Sequence, residues 1–409
     1  MAGCLFCAAS LRHTFVDLGM SPLCERYLTA EQLNQMEPFY PLHAYLCEQC
    51  FLVQVQAYVS PEAIFTEYAY FSSYSDSWLA HAKAYAEMIT ARFGLDTASQ
   101  VIELGSNDGY LLQYFLAKGL RVLGVEPAKN VARAAIARGV PTVTKLFGRQ
   151  TARELVAEGL QADLLCGANV LAQVPDVNDF VGGIKLLLKP GGVVTVEFPH
   201  LMRLMAENQF DTIYHEHFSY FSLTAAAKVF ERQGLKVFDV EELSTHGGSL
   251  RVYVRHAEDV EKKVGERVRN LLAVEQAAGF TNIEHYLSFE ARVKDTKHLL
   301  LKFLNAAQVE GKSVVGYGAP AKGNTLLNYC GVRSDLIEYT VDRSPAKQGH
   351  FLPGTHIPIY HPDKIKETKP DYLLILPWNL QAEVMSQMQH IRDWGGQFVV
   401  PIPEVRVHP

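Results

Sequence analysis

The stretch of sequence that decides the fold is Val101-Ile102-Glu103-Leu104-Gly105-Ser106-Asn107-Asp108-Gly109-Tyr110. Its apolar first half predicts a buried strand, and the small residues that follow predict a loop leading into a helix. Gly105 and Gly109 let the backbone come close to a ligand at the carboxyl end of the strand. Because glycine spacing alone is a weak signal, this interpretation needs a partner elsewhere in the sequence.

That partner is Glu126, which follows the next predicted strand, Arg121–Val125, and precedes Pro127. An acid at this position can accept hydrogen bonds from both ribose hydroxyls of an adenosyl ligand. The E-x-G-x-x-x-G spacing differs from the G-x-G-x-x-G of dinucleotide-binding loops. It favours S-adenosylmethionine (SAM) over NAD, with two ordinary turns as the alternative interpretation.

Strands and helices alternate on both sides of this pattern. The alternation predicts a mainly parallel sheet with covered faces, which is an α/β fold. The predicted helices are Ser77–Phe93, Lys129–Arg138 and Val177–Leu188. The further predicted strands are Thr142–Leu146, Ala162–Cys166, Gly192–Phe198, Leu235–Glu242 and Ser249–Val254.

Cysteine is the unusual feature of the composition, with seven residues in the chain. Cys4/Cys7 and Cys47/Cys50 form two C-x2-C pairs, and four thiolates in a tetrahedron are a ligand set that structural Zn²⁺ prefers. All four coordination positions would be filled, so the site is predicted to be structural. Four unrelated buried cysteines, or a redox C-x-x-C pair, are weaker interpretations. The single cysteines are interpreted as small buried hydrophobes: Cys24, Cys166 and Cys330.

The second half of the chain predicts a connector and another α/β segment. Apolar residues recur at helical spacing through residues 256–310, and after Gly311 strands are predicted at Ser313–Tyr317, Leu336–Val341 and Tyr372–Leu376. The expected domains are a zinc-binding N-terminal domain at 1–75, a SAM-binding domain at 76–255, a helical connector at 256–310 and a C-terminal Rossmann-like domain at 311–409.

Length and charge exclude several classes of protein. At 409 residues the chain is expected to hold two or three domains. It has 38 Lys+Arg against 44 Asp+Glu, a net charge of −6, which argues against a nucleic-acid binder with a basic face. No apolar run approaches the roughly 18 residues of a membrane span. The N-terminus is a poor signal peptide, so we expect a cytoplasmic protein with reduced thiols.

Titratable side chains crowd residues 214–220, which include Tyr214, His215, Glu216 and His217. Such density suits the removal of a proton from a carbon beside a ketone, after which that carbon can attack an electrophilic methyl group. Histidine is a base that works near neutral pH, and a neighbouring Glu or Tyr can orient it or stabilise an enolate oxygen. A polar surface loop is the alternative, and a metal site is weaker because H-E-x-x-H is missing.

A second glycine loop, Gly316-Tyr317-Gly318-Ala319-Pro320-Ala321-Lys322-Gly323, follows a predicted strand and opens a helix. Backbone N–H groups at a helix N-terminus bind phosphate, and Lys322 adds a positive charge. Asp342 follows the next strand as a ribose-binding acid would, which permits a dinucleotide-binding interpretation. The third glycine is displaced from that fingerprint, and a tight turn without a ligand is a further alternative.

Over nearly its whole length the chain resembles the bacterial SAM-dependent C-methyltransferases that act on nucleotide-linked keto-deoxysugars. The resemblance rests on the cysteine pairs, both glycine loops and these further motifs: Tyr68-Ala69-Tyr70-Phe71-Ser72-Ser73, Glu126-Pro127, Glu197-Phe198-Pro199-His200, Thr212-Ile213-Tyr214-His215-Glu216-His217-Phe218-Ser219-Tyr220, Thr245-His246-Gly247-Gly248-Ser249 and Pro377-Trp378-Asn379-Leu380. It implies a zinc-binding N-terminal region, a class I SAM methyltransferase domain and a C-terminal Rossmann-like α/β domain. The implied reaction methylates a ring carbon adjacent to the ketone of a 4-keto-deoxysugar through an enolate, with dTDP as the expected nucleotide.

The resemblance also implies roles for individual residues. In the family the matching Tyr, Glu and His line the catalytic pocket, which points to Tyr214, Glu216 and His217, with Tyr68 or Tyr70 nearby. His217 is the expected base, and Tyr214 is its main competitor. The expected cofactor-binding residues are Glu103, Gly105, Ser106, Asn107, Asp108, Gly109, Glu126, Pro127, Phe147 and Asn169. The expected substrate-binding residues are Gln173, His200, His246, Gly318, Lys322 and Asn324.

One position departs from the family pattern. Better-known members have an N-V-L-A-H-V-P segment, whereas this chain has Asn169-Val170-Leu171-Ala172-Gln173-Val174-Pro175. Gln173 keeps a donor and an acceptor but cannot carry a proton. Any acid–base role at this position is therefore lost, which favours a different carbon position or a different sugar.

Two other classes of function stay open. An NAD(P)-dependent nucleotide-sugar oxidoreductase would use the second glycine loop. A non-catalytic, zinc-dependent binding protein would carry residues 214–220 on its surface. No nucleic-acid or membrane partner is expected, and the oligomeric state is open, with a monomer allowed.

Overall fold

The structure is a computed structural model that describes residues 3–60 and 71–409. The chain divides into two compact units. Unit 1 comprises Met1–Arg12, Cys47–Leu201 and His217–Ile283, and unit 2 comprises His13–Leu46, Met202–Glu216 and Glu284–Pro409. The four domain boundaries expected from the sequence stay a prediction.

The elements of the described residues fall in the order that the sequence predicts. The strands are β1 His13–Ser21, β2 Tyr40–Leu46, β3 Val53–Val55, β4 Gln100–Leu104, β5 Arg121–Val125, β6 Thr142–Val143, β7 Ala162–Ala168, β8 Leu188–Pro199, β9 Ser219–Tyr220, β10 Leu235–Leu243, β11 Ser249–His256, β12 Val314–Tyr317, β13 Thr340–Val341, β14 Ile359–Tyr360, β15 Tyr372–Ile375, β16 Gln397–Val400 and β17 Arg406–His408. The α-helices are α1 Asp76–Phe93, α2 Leu112–Leu116, α3 Lys129–Ala137, α4 Arg149–Ala157, α5 Val177–Leu187, α6 Leu201–Ala206, α7 Leu223–Arg232, α8 Glu266–Ala277, α9 Ile283–Leu287, α10 Phe289–Val309, α11 Ala321–Cys330, α12 Lys364–Thr368 and α13 Gln381–Gln387.

Unit 1 is built on a seven-stranded sheet with the order β6-β5-β4-β7-β8-β11-β10. The five neighbouring strands β6, β5, β4, β7 and β8 run parallel. β11 lies antiparallel to both β8 and β10. The strand order reverses at β4, which is flanked by β5 on one side and β7 on the other. The carboxyl ends of these strands are therefore the edge at which a sheet of this kind binds ligands.

Helix α1 covers part of this sheet with one apolar face. Ala82, Tyr85 and Ile89 recur at helical spacing and share a buried cluster with Phe115 and Val101 of β4. Ser75 accepts the N–H of Trp78 at the start of the helix, and Gly94 ends it in the left-handed conformation. The helix predicted at Ser77–Phe93 is confirmed to within one residue.

Unit 2 holds a second sheet, with six strands in the order β14-β13-β12-β15-β16-β17. Its strands run parallel except for β17, which pairs antiparallel with β16 at the edge. β1 and β2 pair antiparallel within a further sheet, and Phe15 of β1 stacks on Phe289 with ring centroids 4.8 Å apart. Both large sheets confirm the α/β class.

Two predicted strands are shorter by more than one residue in the structure. Thr142–Leu146 shortens to β6 because Lys145 donates its N–H back to the carbonyl of Val143. Leu336–Val341 shortens to β13 because Ile337 donates its N–H to Arg333 in a turn. Across the described residues, no helix is both long enough and apolar enough to cross a membrane.

Candidate active site and metal centre

The four paired cysteines come together in unit 1. The Sγ atoms of Cys4, Cys7, Cys47 and Cys50 all lie within 4.8 Å of one another. The Cys4–Cys50 and Cys7–Cys47 sulfur pairs are 3.6 and 3.5 Å apart. Sulfurs placed tetrahedrally around Zn²⁺ are about 3.8 Å from one another. The ligand set and its spacing therefore fit a closed, structural zinc site.

Both cysteine pairs adopt the same turn. The N–H four residues after the first cysteine donates back to that cysteine's carbonyl. This residue has a positive φ in each turn, 63° at Ala8 and 62° at Phe51. Gln54 supports the cluster, because its Nε2 donates to the sulfur of Cys4 at 3.3 Å and its Oε1 accepts the N–H of Leu5 at 2.7 Å.

The first cysteine turn is fixed to the helices of unit 1. Asn178 of α5 donates its side-chain N–H groups to the carbonyls of Leu5 and Phe6, at 3.2 and 2.9 Å. The guanidinium of Arg232, in α7, lies 5.6 Å from the ring centroid of Phe6. A metal held by the four sulfurs would therefore join both cysteine turns to these helices.

The loop after β4 closes onto the acid that follows β5. Glu126 accepts the N–H of Asn107 on Oε2 and that of Ala128 on Oε1, each at 2.9 Å. Gly105 has a φ of 67°, and a Cβ there would lie 3.1 Å from the side chain of Val170. Each carboxylate oxygen retains a second lone pair, so Glu126 can still accept ribose hydroxyls.

Polar groups at this edge suit an adenosyl ligand. In the described part of the chain, the buried atoms Ser106 Oγ, Asp108 Oδ1 and Asn169 Oδ1 have no hydrogen-bond partner. Unpartnered buried polar atoms are rare in folded proteins and point to a ligand or water. Burial raises the pKa of Glu126, and raises that of Glu103 well above its usual range. The expected cofactor residues after β4 and β5 are thus brought together, and they fit SAM.

A buried ion-pair cluster lies beside this edge. Glu197 at the end of β8 accepts from His81 at 2.9 Å and from Arg251 at 2.6 Å. Burial would raise the pKa of Glu197, but these two partners hold it below its usual value. Trp78 stacks between His81 and His246, with ring centroids 5.0 Å away on each side. The stack gives the predicted substrate residue His246 a fixed place next to α1.

Gln173 and His217 belong to neighbouring segments of unit 1. Phe218 donates its N–H to the carbonyl of Ala172 at 2.7 Å, which joins the two segments. His217 is buried, and its ring meets that of Tyr220 edge-on at a centroid distance of 6.1 Å. Asn169, at the end of β7, places its Nδ2 3.0 Å from Nε2 of His246. Four of the predicted site residues therefore lie on adjoining segments of this sheet edge.

His200 is held by an acid that the sequence analysis did not single out. Its Nε2 lies 2.7 Å from Oε1 of Glu275 in α8, and both side chains are almost fully buried. Glu275 also accepts the N–H groups of Leu223 and Thr224 and the hydroxyl of Thr224. This contact gives His200 a structural role, while its predicted contact with substrate stays a prediction.

In the sequence, the Tyr-His-Glu-His cluster crosses from unit 2 to unit 1 between Glu216 and His217. Within unit 2, Nε2 of His215 lies 3.2 Å from the carbonyl of Pro41, and burial lowers the pKa of His215. Glu216 accepts from the thiol of Cys24 at 3.0 Å, and burial raises the pKa of this carboxyl to about 7. Cys24 is therefore not the inert hydrophobe that the sequence suggests.

The second glycine loop repeats the arrangement of the first. Gly318, with a φ of 89°, donates its N–H to the carbonyl of Val341. Asp342 accepts the N–H of Ala319 at 2.7 Å and that of Ser344 at 2.8 Å. Glu126 makes the same pair of contacts in unit 1. The sequence indicated Asp342 by its position after a strand, and the structure adds its contact with the loop.

Lys322 is engaged inside unit 2. Its Nζ donates to Oδ1 of Asn379 at 2.8 Å and lies 4.5 Å from the ring centroid of Trp378. Trp378 in turn donates its Nε1 hydrogen to Asp211 at 2.8 Å. Burial lowers the pKa of Lys322 to about 8 and raises that of Asp211 to about 7. Sequence patterns could not identify Asp211, because its partners lie in distant segments of the chain.

Two further predicted site residues, Asn324 and Phe147, contact other groups of the protein. Asn324 is buried in α11 and donates to the backbone carbonyl of Cys24 at 2.6 Å. Phe147 packs edge-on against Phe180 with ring centroids 5.4 Å apart. Tyr68 and Tyr70 lie outside the described residues. The assignment of all these side chains to cofactor, substrate or catalysis stays a prediction.

Comparison with known proteins covers almost the whole chain. A family model of a predicted zinc binding domain matches residues 4–65, a methyltransferase domain matches 78–240, and a C-methyltransferase C-terminal domain matches 244–403. The chain is 36% identical over 392 residues to C-methyltransferase NovU of Streptomyces niveus, covering 96% of this chain and 93% of that protein. A ubiquinone biosynthesis O-methyltransferase of Bartonella tribocorum is 28% identical over 118 residues, 27% of this chain and 48% of its own length.

Solved structures match less than half of the chain, and at low similarity. The glycopeptide N-methyltransferase MtfA matches 43% of this chain and 96% of its own, with 14% identity and a TM-score of 0.34. Magnesium protoporphyrin IX methyltransferase from Synechocystis PCC 6803, with bound SAM, matches 43% and 78%, with 12% identity and a TM-score of 0.33. The family assignment therefore rests on the long match to NovU and on the family models. With its α/β sheets and its four-cysteine N-terminal domain, the chain belongs to the SAM-dependent C-methyltransferase family.

Proposed function

We propose that this protein methylates a ring carbon next to the ketone of a nucleotide-linked 4-keto-deoxysugar, with dTDP as the expected nucleotide. The observation that carries the proposal is Glu216, a buried carboxyl with a pKa of about 7, directly before His217 in a C-methyltransferase. Methylation at carbon requires that a proton first leave that carbon. Acids and bases that titrate near neutral pH suit this step.

The chain's own residues supply binding and proton transfer. Bound SAM supplies an electrophilic methyl group, and Glu126 would hold its ribose hydroxyls. His217 would take the proton from the carbon beside the ketone, with Tyr214 as the competing base. Glu216 would orient the base or stabilise the enolate oxygen, which needs a hydrogen-bond donor as its charge develops.

The sugar-nucleotide class is supported by the motifs of the resemblance and by the second glycine loop. Asp342 and the helix start after Gly318 form a loop of the type that binds nucleotides. Lys347 adds a cation there, because its Nζ donates to the carbonyl of Ala319 at 2.8 Å. An NAD(P)-dependent oxidoreductase would use the same loop. Calorimetry that compares S-adenosylhomocysteine with NAD separates the two functions.

Turnover with a labelled methyl donor tests the proposal. The protein is incubated with dTDP-4-keto-deoxysugars and SAM carrying a ¹³C methyl group, and the product is examined by NMR. We expect the label on a ring carbon. Label on oxygen, or no turnover with any keto-sugar nucleotide, would contradict the proposal.

Replacement of the expected base tests its role. His217→Ala should reduce kcat by about 10²- to 10⁴-fold, because a positioned base contributes that much to proton transfer. Binding of S-adenosylhomocysteine, measured by calorimetry, should stay within about twofold of the unmodified protein. Retained turnover would remove His217 as the base and leave Tyr214 as the candidate.

A further inference from the structure

The thiol of Cys24 and the carboxyl of Glu216 form a buried hydrogen bond in unit 2. The sulfur lies 3.0 Å from Oε2 of Glu216, and the two side chains are 2% and 3% exposed. Burial holds the pKa of the Cys24 thiol well above its usual value, so the sulfur keeps its proton. The thiol is therefore the donor and the carboxyl oxygen is the acceptor.

Helix α11 holds the segments that carry both groups. Asn324 donates its Nδ2 hydrogen to the backbone carbonyl of Cys24 at 2.6 Å. The next residue, Thr325, donates its hydroxyl to the backbone carbonyl of Ile213 at 3.1 Å, just before the titratable cluster. Two consecutive buried side chains of one helix thus fix the backbone on both sides of the thiol–carboxyl contact.

We propose that Cys24 is a positioning residue for the methyl transfer, acting through Glu216. Its S–H group fixes the carboxyl in one orientation and favours the ionised form over the neutral acid. This inference rests on the first role proposed for Glu216, in which the ionised carboxylate orients the base. Glu25 also faces this carboxyl within unit 2: its negative charge opposes ionisation, while its backbone N–H favours it. The thiol of Cys24 is the larger of the two side-chain influences.

The pH dependence of kcat/KM separates this role from simple packing. In Cys24→Ala the ionised form of Glu216 loses a donor, so its pKa rises. We expect the acid limb of the profile to move up by roughly 0.5 to 1 pH unit, as the loss of one weak hydrogen bond implies. In Cys24→Ser a hydroxyl replaces the thiol as donor, and the acid limb should return close to its original position.

Cys330→Ala is the matched control. Cys330 is an equally buried thiol of unit 2, and its replacement removes the same atom without touching Glu216. Its profile should coincide with that of the unmodified protein. A Cys24→Ala profile that is not displaced, or an equal displacement in Cys330→Ala, would overturn the role of Cys24.

A titration without substrate keeps the inference independent of turnover. The ¹³C-labelled side-chain carboxyl of Glu216, assigned through Glu216→Gln, is titrated by NMR in the unmodified protein and in Cys24→Ser and Cys24→Ala. A higher pKa in Cys24→Ala alone supports the inference, and equal values in all three refute it. If Cys24→Ala does not fold, Cys24→Val replaces it, since valine fills similar space without a donor. Lack of turnover by the unmodified protein would contradict the proposed function. The titration would still test whether Cys24 donates a hydrogen bond to Glu216.

Discussion

Three ionisable side chains of unit 2 show how burial changes residue chemistry. Glu216 and Asp211 have pKa values of about 7, and Lys322 has a pKa of about 8, with burial as the largest cause each time. At the surface all three would be fully charged at neutral pH. Inside the protein they become groups that can exchange protons near neutral pH. Glu216 is the one that directly precedes the expected base in the sequence.

The raised pKa of Glu216 predicts how stability depends on pH. Its value of about 7 in the folded protein exceeds the ordinary value of 4.5, so the unfolded chain loses this proton first as the pH rises. The free energy of unfolding should therefore fall between about pH 4.5 and about pH 7, by roughly 3 to 4 kcal/mol from this group.

Glu216→Gln removes that dependence. Urea unfolding near pH 5 and near pH 8 should show a smaller loss of stability in the variant than in the unmodified protein, because glutamine does not titrate. Cys330→Ala, which alters a buried thiol at another place in unit 2, serves as the control and should keep the original dependence. An unchanged pH dependence in Glu216→Gln would contradict the assigned pKa.

The two cysteine turns each supply half of the ligands of the predicted zinc site. Each turn presents two sulfurs, and the turns are separated by β1 and β2 in the sequence. Few long-range backbone bonds connect such short turns, so the metal is expected to supply the cross-link. The sequence spacing shows the ligand set, and the structure shows that the four sulfurs converge.

Cys47→Ser should remove the metal. One ligand of four is lost, and serine is a poor zinc ligand, so zinc measured by mass spectrometry should fall well below one atom per chain. The melting temperature should drop, because binding energy at a structural zinc site is also folding energy. Cys330→Ser, which alters a thiol outside the cluster, should retain zinc. Equal metal content in the two variants would refute the zinc site.

The same arrangement of a glycine loop and an acid occurs in both large sheets. In each large sheet an acid follows the second strand. Its carboxylate accepts one N–H from the glycine loop and another from the residue two positions after the acid. Glu126 does this in unit 1 and Asp342 in unit 2. The repeated arrangement agrees with the proposed function, in which the protein would hold both SAM and a nucleotide-linked sugar.

Matched variants of these acids should affect different ligands. Glu126→Gln removes a charged acceptor of ribose hydroxyls, so affinity for S-adenosylhomocysteine should fall about 10- to 100-fold by calorimetry. Asp342→Asn makes the same chemical change in the other sheet and should leave that affinity unchanged. An equal loss in both variants would contradict the assignment of the first loop to the cofactor.

Much of the fold could be predicted from the sequence because its signals are local. β4 and β5 begin and end where the runs of apolar residues predict. α1 lies within one residue of its predicted bounds. The predicted strands are too long at β6 and β13, where local backbone turns take the place of strand pairing. The sequence also predicts that the cysteine pairs are metal ligands, because such ligands occur at a characteristic spacing.

The sequence by itself therefore determined the α/β class, the first glycine loop with the acid Glu126 after the next strand, and the four-cysteine cluster, which all follow from periodicity and short spacing. The tertiary structure alone decided which polar residues lose water and which distant residues meet. Cys24 reaches Glu216 across 192 positions, and His200 reaches Glu275 across 75. Burial and long-range contacts depend on how the chain packs. No local pattern records them, yet burial gives Glu216, which directly precedes the expected base in the sequence, a pKa of about 7.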